Sequence, residues 1–129
     1  MLRTQKNSKK QGDVGVGIAI GWFVQNGYTV CIPLTDSQDY DLVIEIDGIL
    51  KKVQVKTTYA ISPEGNYVVN LRVSGGNKSR TTVKHFNQDF ADILFIVTEN
   101  NVKYFIPIED IDNRNSINLG RTRDKYIVT

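Results

Sequence analysis

Residues 40–56 read YDLVIEIDGILKKVQVK and contain the strongest structural signal in the chain. On either side of Asp47-Gly48, apolar residues alternate with polar ones, which is the period of a half-buried strand. The Asp-Gly pair is a strong signal for a two-residue hairpin turn, because both central positions of the favoured turn need positive φ. We therefore predict two antiparallel strands, over residues 41–47 and 49–58, joined at this turn.

The turn determines which side chains of the hairpin share a face. With Asp47 and Gly48 as the two turn residues, Asp41 lies directly opposite Gln54. Opposed residues of an antiparallel pair point the same way, with Cβ atoms about 4.5–5.5 Å apart, and Lys56 follows on that face about 6.6 Å further along. A one-residue slip in register would separate these three side chains. The opposite, core-facing side takes the apolar residues of the hairpin: Leu42, Ile44, Ile46, Val53 and Val55.

A carboxylate, an amide and an ammonium on one face suit metal-assisted phosphodiester chemistry. The carboxylate of Asp41 is a hard oxygen ligand of the kind that Mg²⁺ selects, and the carbonyl of Gln54 can add a second oxygen or orient a bound water. Lys56 can position or deprotonate the attacking water, or stabilise charge on the phosphate. The alternative is an exposed hairpin face with ordinary polar residues, which antiparallel sheets commonly have.

The order of motifs resembles a known family. Asp41 followed by Gln54-Val55-Lys56 resembles the core of the PD-(D/E)XK nucleases, in the variant in which glutamine replaces the second acidic residue. Over residues 12–119 the chain resembles the group I intron-encoded homing endonucleases of cyanobacterial type. The further segments that carry this resemblance are GDVG at 12–15, NGYTV at 26–30, IPLTD at 32–36, SGGN at 74–77, DILF at 92–95 and YFIP at 104–107.

The resemblance implies an α/β (α+β) fold with a restriction-endonuclease-like core, in which a central mixed β-sheet is flanked by helices. It also implies roles for the site residues. Asp41 would hold Mg²⁺ or another divalent cation, Gln54 would complete or orient its shell, and the carbonyl of Val55 would add an oxygen. Lys56 would position the water or stabilise the phosphate.

The implied activity is site-specific cleavage of double-stranded DNA. A homotetramer is expected, because one subunit of 14.6 kDa is too small to read a long target and cut both strands. Two alternatives remain open: a Holliday-junction-resolvase-like or restriction-like nuclease on the same core, and a DNA-binding protein whose catalysis is impaired.

One position departs from the family pattern. Relatives carry a glutamate in the first helix, in a Gly-Asp-hydrophobic-Gly-Glu run, and here residues 12–16 read GDVGV. Valine therefore occupies position 16 where the acid is expected. Asp13 lies three residues earlier on the same helical face and is a candidate for the remaining acid. Otherwise Val16 marks an impaired site, or it simply packs and the helix acid is dispensable.

Three basic groups are candidate DNA contacts. The run from residue 72 to residue 85 has no acidic residue, and short basic runs with exposed N–H groups contact phosphates. Arginine can also read guanine in the major groove, so base reading is expected of Arg80 and phosphate contact of Lys78 and Lys84. The alternative for each group is a solvated surface. The candidates are Lys9, Lys10, Lys78, Arg80, Lys84, Arg121 and Arg123.

The remaining elements follow from periodicity and punctuation. A helix is predicted from about Asp13 to Gln25, ended by Asn26-Gly27, and its glycines indicate that the helix backbone approaches a neighbour closely. Residues 1–11 are predicted to be a basic, flexible segment. Further strands are predicted over residues 28–33, 66–74, 93–98 and 102–106, followed by a short helical piece over 107–112 and an irregular tail.

Composition limits the class of protein. The length of 129 residues predicts a single domain, long enough to bury about two thirds of the unfolded surface without disulfides. The net charge of +2 means that affinity for a polyanion must come from local patches. The lone Cys31 is predicted to be buried, and the single histidine, His85, excludes a histidine metal cluster. A lone thiol and no signal peptide predict a reducing, intracellular setting, and the implied DNA substrate predicts a cytoplasmic, nucleoid-associated protein. No membrane partner and no small-molecule cofactor are expected.

Overall fold

The computed structural model describes residues 7–74, 83–85, 90–111 and 115–129. The chain forms one α-helix and ten strands in these residues, with short 3₁₀ helices over Ile108–Asp110 and Arg121–Tyr126. The elements in chain order are α1 (Ser8–Gln25), β1 (Thr29–Cys31), β2 (Leu42–Ile46), β3 (Ile49–Thr58), β4 (Val68–Asn70), β5 (Arg72–Ser74), β6 (Val83–His85), β7 (Ile93–Thr98), β8 (Lys103–Pro107), β9 (Ser116–Asn118) and β10 (Ile127–Val128).

The hairpin β2–β3 forms with the predicted register. Asp47 and Gly48 have φ of 52° and 81°, the left-handed values that a two-residue turn requires. Ile46 pairs with Ile49 at the turn, and the paired strands end at Leu42 opposite Val53. Both the turn and the pairing predicted from the sequence are therefore confirmed.

The hairpin is part of a six-stranded mixed sheet with the order β1-β2-β3-β7-β8-β10. β3 and β7 are parallel, from Val53 opposite Ile93 to Thr58 opposite Thr98, and the other neighbours are antiparallel. All six residues of β7 are buried. A strand buried on both faces reads as a continuous apolar run, which explains the uninterrupted apolar sequence at this point.

Each face of the sheet packs against a different partner. α1 covers one face, where Phe23 and Ala19 lie over a buried apolar cluster on β2, β3 and β7. The antiparallel pair β4–β9 covers part of the other face, where Val69 and Ile117 lie over Leu94 and its neighbours. The mixed central sheet of a restriction-endonuclease-like core is thus confirmed. In the described residues an α-helix covers only one face, and strands cover the other.

α1 begins earlier than predicted. The side chain of Asn7 caps the helix by accepting the N–H of Lys9 at 2.9 Å and that of Lys10, which satisfies donors that a helix start leaves open. Residues 8–11 are therefore helical, and the prediction of a flexible segment over 1–11 is wrong for them; residues 1–6 lie outside the described part. The predicted end is confirmed, because α1 stops at Gln25 and Gly27 has φ of 85°.

The predicted close approach of the helix backbone occurs at one glycine. A Cβ at Gly15 would collide with Cγ2 of Thr57 on β3, whereas Gly17 and Gly21 have nothing within 4 Å of such an atom. Gly15 is buried and Gly17 is exposed. Glycine is therefore required by packing at position 15, while the other two positions face open space.

The C-terminal tail is not irregular as predicted. After β9 and the 3₁₀ helix, β10 pairs with β8, with Ile127 opposite Tyr104, and Trp22 Nε1 on α1 donates to the carbonyl of Thr129 at 3.1 Å. The tail becomes ordered because it completes the open edge of β8, a partner distant in sequence. The predicted strand over 66–74 is divided into β4 and β5, which pair with different strands. The helical piece predicted over 107–112 is confirmed as the 3₁₀ helix Ile108–Asp110.

Candidate active site

The hairpin brings the three predicted side chains together. Oδ2 of Asp41 accepts a hydrogen bond from Gln54 Nε2 at 3.0 Å. Lys56, two residues beyond Gln54 on the same face, is close enough for its charge to act on Asp41. All three residues are half-buried. The shared face predicted from the hairpin register is therefore confirmed, although its members are less exposed than residues on a solvent face.

The end of β2 explains why Asp41 is so firmly placed. The paired strand stops at Leu42, so the Val55 amide on β3 has lost its strand partner on that side. Oδ2 of Asp41 accepts this amide at 2.7 Å, and the Asp41 N–H donates to the Val53 carbonyl at 2.9 Å. The carboxylate thus replaces the missing strand and is held by β3 itself.

Burial and charge shift the pKa of Asp41 and that of Lys56 in opposite directions. Burial raises the pKa of Asp41, although the Val55 amide and the Lys56 ammonium oppose the rise. Burial lowers the pKa of Lys56, opposed by the charge of Asp41. In both groups loss of water is the larger cause, since it disfavours the charged form. The ammonium therefore releases its proton more readily than that of an exposed lysine.

Gln54 contains an oxygen without a partner. Oε1 of Gln54 is the one buried side-chain oxygen or nitrogen, among the residues that the structure describes, that lacks a hydrogen-bond partner. Buried acceptors are nearly always satisfied, and an exception calls for an explanation such as a bound ion or water. Next to a carboxylate, this oxygen gives an all-oxygen donor set, which suits Mg²⁺ or a similar hard cation.

The two helix candidates lie on α1, which packs against the other face of the sheet. Val16 is half-buried and packs against the apolar cluster between α1 and the sheet, on the face opposite Gln54 and Lys56. Asp13 is exposed. In the described ranges no cluster of three acidic, histidine or cysteine side chains forms that could hold a metal.

The basic candidates lie in different surroundings. Lys9 and Lys10 are exposed in the first turn of α1, and Arg121 is exposed at the start of the second 3₁₀ helix. Arg123 instead donates from Nη1 to the Asn118 carbonyl at 2.9 Å and so ties that helix to β9. Two other candidates, Lys78 and Arg80, lie outside the described residues, as does the side chain of Lys84.

Cys31 is exposed, so the prediction that it is buried is wrong. β1 is the edge strand of the sheet, and its side chains alternate between exposed and half-buried positions.

Asp92 fixes the strand that carries the candidate site, a contact that its position in the sequence did not predict. Its Oδ2 accepts the Lys52 N–H at 2.8 Å, and its own N–H donates to the Lys52 carbonyl at 2.9 Å. Its carbonyl accepts the Ile108 N–H at 2.9 Å. Asp92 thus fastens β3 two residues before Gln54. The available signal was a single acid directly before the apolar run of β7.

Comparison with known proteins agrees with this geometry. The family model described as PD-(D/E)XK endonuclease matches residues 6–126. Protein 5.3 of Escherichia phage T7 is 31% identical over 105 residues, which cover 81% of this chain and 83% of that protein. The solved structure of the bacterial homing endonuclease I-Ssp6803I is similar, with a TM-score of 0.77 and 30% identity over 92% of this chain and 82% of that chain. The extent of the family match and the shared fold lead to one conclusion: the chain belongs to the PD-(D/E)XK endonuclease family.

Proposed function

We propose that this member of the nuclease family is a metal-dependent, site-specific endonuclease that cuts double-stranded DNA, of the intron-homing kind. The observation that carries the proposal is the group on one face of the hairpin: a fixed carboxylate at Asp41, an unpartnered buried oxygen at Gln54 and a desolvated ammonium at Lys56. The similarity to a bacterial homing endonuclease supports the homing role.

The donor set fits a divalent cation, with Mg²⁺ as the first choice. Asp41 would supply a carboxylate oxygen and Gln54 its Oε1. The N–H and C=O of one strand residue point toward the same neighbouring strand, so the carbonyl of Val55 faces the side on which Asp41 receives the Val55 amide. When bound, the ion supplies Lewis-acid polarisation of a phosphoryl oxygen and a lowered pKa for water.

The chain's own residues orient the reactants and handle a proton. Asp41 is held by two N–H groups, so its free oxygen has a defined direction. Lys56 lies on the same face and can orient the attacking water through Nζ. As an ammonium it stabilises charge on the phosphate, and its lowered pKa favours proton exchange at Nζ. Hydrolysis then adds water across one P–O ester bond.

Cleavage of duplex DNA by matched variants tests this assignment. We expect Lys56→Ala to reduce the cleavage rate by at least about 10²-fold, the scale of a positioned acid–base or electrostatic group, with DNA affinity changed only a few-fold. Lys51→Ala is the matched control, because Lys51 lies on the other face of the same strand, opposite Ile44. Equal cleavage by the two variants would remove Lys56 from the mechanism.

A DNA-binding protein with impaired catalysis is the second candidate function. The observation that favours it is Val16, which packs into the cluster beneath α1 and offers no ligand. If Val16 replaces a metal-site glutamate, Val16→Glu should raise cleavage at some cost in stability, because position 16 is half-buried. If Val16→Glu brings no gain and Asp13→Asn abolishes cleavage, Asp13 is the working acid. If wild type and Val16→Glu both bind DNA without cutting it in Mg²⁺, the binding function is correct.

The partners follow from the same proposal. Double-stranded DNA is the substrate, with Lys9, Lys10 and Arg121 as exposed cations that can contact phosphates. Alanine at Lys78, Arg80 or Lys84 should each lower the salt slope of binding if these also contact phosphates. A homotetramer would let a 14.6 kDa subunit read a long site, and sedimentation equilibrium measures its size. A cytoplasmic, nucleoid-associated location accords with DNA as substrate. In the described part of the chain, no helix is long and apolar enough to cross a membrane.

A further inference from the structure

β3 carries a second cation on the face that holds the candidate active site. Side chains two residues apart along a strand point to the same face, so Lys52 lies beside Gln54, on the side away from Lys56. Lys52 pairs with Val43, and Asp41 lies two residues before Val43. Lys52 is therefore in line with the site, about 6.6 Å from Gln54 along the strand.

This half of the face is exposed at its turn end. Beside the site, Leu94 and Ile96 are fully buried in the cluster beneath β4–β9. At the other end Leu50 is 63% exposed and Glu45 is exposed, while Lys52 is half-buried. The site lies at the boundary between the covered and the open half. A macromolecule that reaches it over this face has to pass Lys52.

The structure holds Lys52 at its main chain and at its side chain. Hydrogen bonds with Asp92 fix its N–H and its carbonyl. Its Nζ lies 5.8 Å from the centre of the Tyr40 ring, and Tyr40 directly precedes Asp41. Because a cation is attracted to the face of an aromatic ring, the ammonium stays near the site.

We propose that Lys52, held against Tyr40, binds a backbone phosphate of the duplex next to the phosphate that is cut at Asp41, Gln54 and Lys56. This inference rests on the proposed endonuclease function and adds a subsite to it. A compact ammonium is a point charge suited to phosphate rather than to a base edge. Tyr40 directs the strand by keeping that charge in one position. The exposed carboxylate of Glu45 lies at the far end of β2 and repels phosphates, so the bound backbone passes on the Tyr40 side of Lys52.

The chain offers a closely matched control for this subsite. Lys51 and Lys52 are adjacent and both half-buried, but Lys51 is opposite Ile44 and therefore on the α1 face. Lys51→Met and Lys52→Met remove the same charge and keep a long apolar stem. Duplex binding is measured for both variants in Ca²⁺ over a range of salt concentrations. Folding is checked by thermal unfolding.

We expect Lys52→Met to lower the salt slope by about 0.9 units, the value for one lost phosphate contact, and Lys51→Met to leave it unchanged. Lys52→Arg keeps the positive charge and should therefore keep the wild-type salt slope. A merely structural role of Lys52 does not predict this result. Tyr40→Phe should retain it, and Tyr40→Leu should weaken binding. If Lys52→Met fails to fold, Lys52→Gln takes its place.

Two results distinguish failure of the phosphate subsite from failure of the endonuclease proposal on which it rests. Equal slopes for the two methionine variants, with normal binding by the wild type, overturn the subsite and leave the endonuclease proposal intact. A wild-type protein that neither binds nor cuts duplex DNA overturns the endonuclease proposal, and the subsite falls with it.

Discussion

Gly15 and Gly17 should respond in opposite ways to the same substitution. Both lie in α1, but a Cβ at Gly15 would collide with Thr57 Cγ2, whereas a Cβ at Gly17 meets nothing within 4 Å. Alanine is better than glycine in a helix by about 1 kcal/mol. We therefore expect Gly17→Ala to raise the free energy of unfolding by about 0.5–1 kcal/mol.

Gly15→Ala gains the same helix propensity and loses more to the collision. Inserting a methyl group into a packed contact costs about 1–3 kcal/mol, so the net change is about 0–2 kcal/mol of destabilisation. The difference between the two variants, about 1–3 kcal/mol, is the quantity to test. This difference in free energy corresponds to a difference in Tm of roughly 3–12 °C, because a domain of this length shifts by about 3–4 °C per kcal/mol.

The collision in Gly15→Ala should also disturb the candidate site, and a second substitution should relieve it. Thr57 directly follows Lys56, so displacement of β3 by the methyl group that Gly15→Ala adds should move Lys56 relative to Asp41 and reduce cleavage more than DNA affinity. Thr57→Ser removes the offending methyl group and should recover most of the lost stability in the Gly15→Ala background. Thermal unfolding of the wild type, Gly15→Ala, Thr57→Ser and the double variant completes this double-mutant cycle. If Gly15→Ala is as stable as Gly17→Ala, the close approach of α1 to β3 is wrong.

Two further changes test the site and the helix start. Burial raises the pKa of Asp41, so the folded protein binds that proton more tightly than the unfolded chain; this contribution to stability is present in acid and is lost as the pH rises through the folded pKa. Asp41→Asn should therefore stabilise the metal-free protein at neutral pH while abolishing cleavage, and the stability gain should shrink as the pH falls. Thermal unfolding in EDTA from about pH 4 to 8 measures it, and a gain independent of pH would contradict the reasoning. Asn7→Ala should cost about 0.5–2 kcal/mol, the usual loss for a helix cap. Asn7→Ser is the control in denaturant unfolding, since serine can also accept the Lys9 amide, and equal stability of the two variants would show that the cap contributes nothing.

Local signals were sufficient for the hairpin and insufficient for the start of the helix. The Asp47-Gly48 turn and the alternation around it are properties of neighbouring residues, so the register followed without tertiary information. The start of α1 was placed too late because the glycines and lysines near it weaken the helix pattern. The cap at Asn7 is nevertheless a local signal, and it marks the observed start of the helix.

Burial of the site was beyond local reasoning. Gln54 and Lys56 alternate with valines like polar residues on a solvent face, and nothing nearby in the sequence reveals what covers them. β7 lies beside β3, and the pair β4–β9 packs over Leu94 and Ile96. The partially covered face explains why the pKa of Asp41 rises and why Gln54 Oε1 is left without a partner.

Which side chains share one face of the hairpin follows from local sequence, because a two-residue turn and a period of two set the facing residues without reference to the rest of the chain. The access of water to that face, the surroundings of Val16 and the formation of β10 by the tail follow instead from tertiary contacts. These depend on pairings between residues far apart in sequence, such as Ile127 with Tyr104 and Trp22 with Thr129. The β10–β8 pairing uses donors and acceptors that the edge of β8 leaves unpaired, and the periodicity of neighbouring residues does not predict which distant segment will meet that edge.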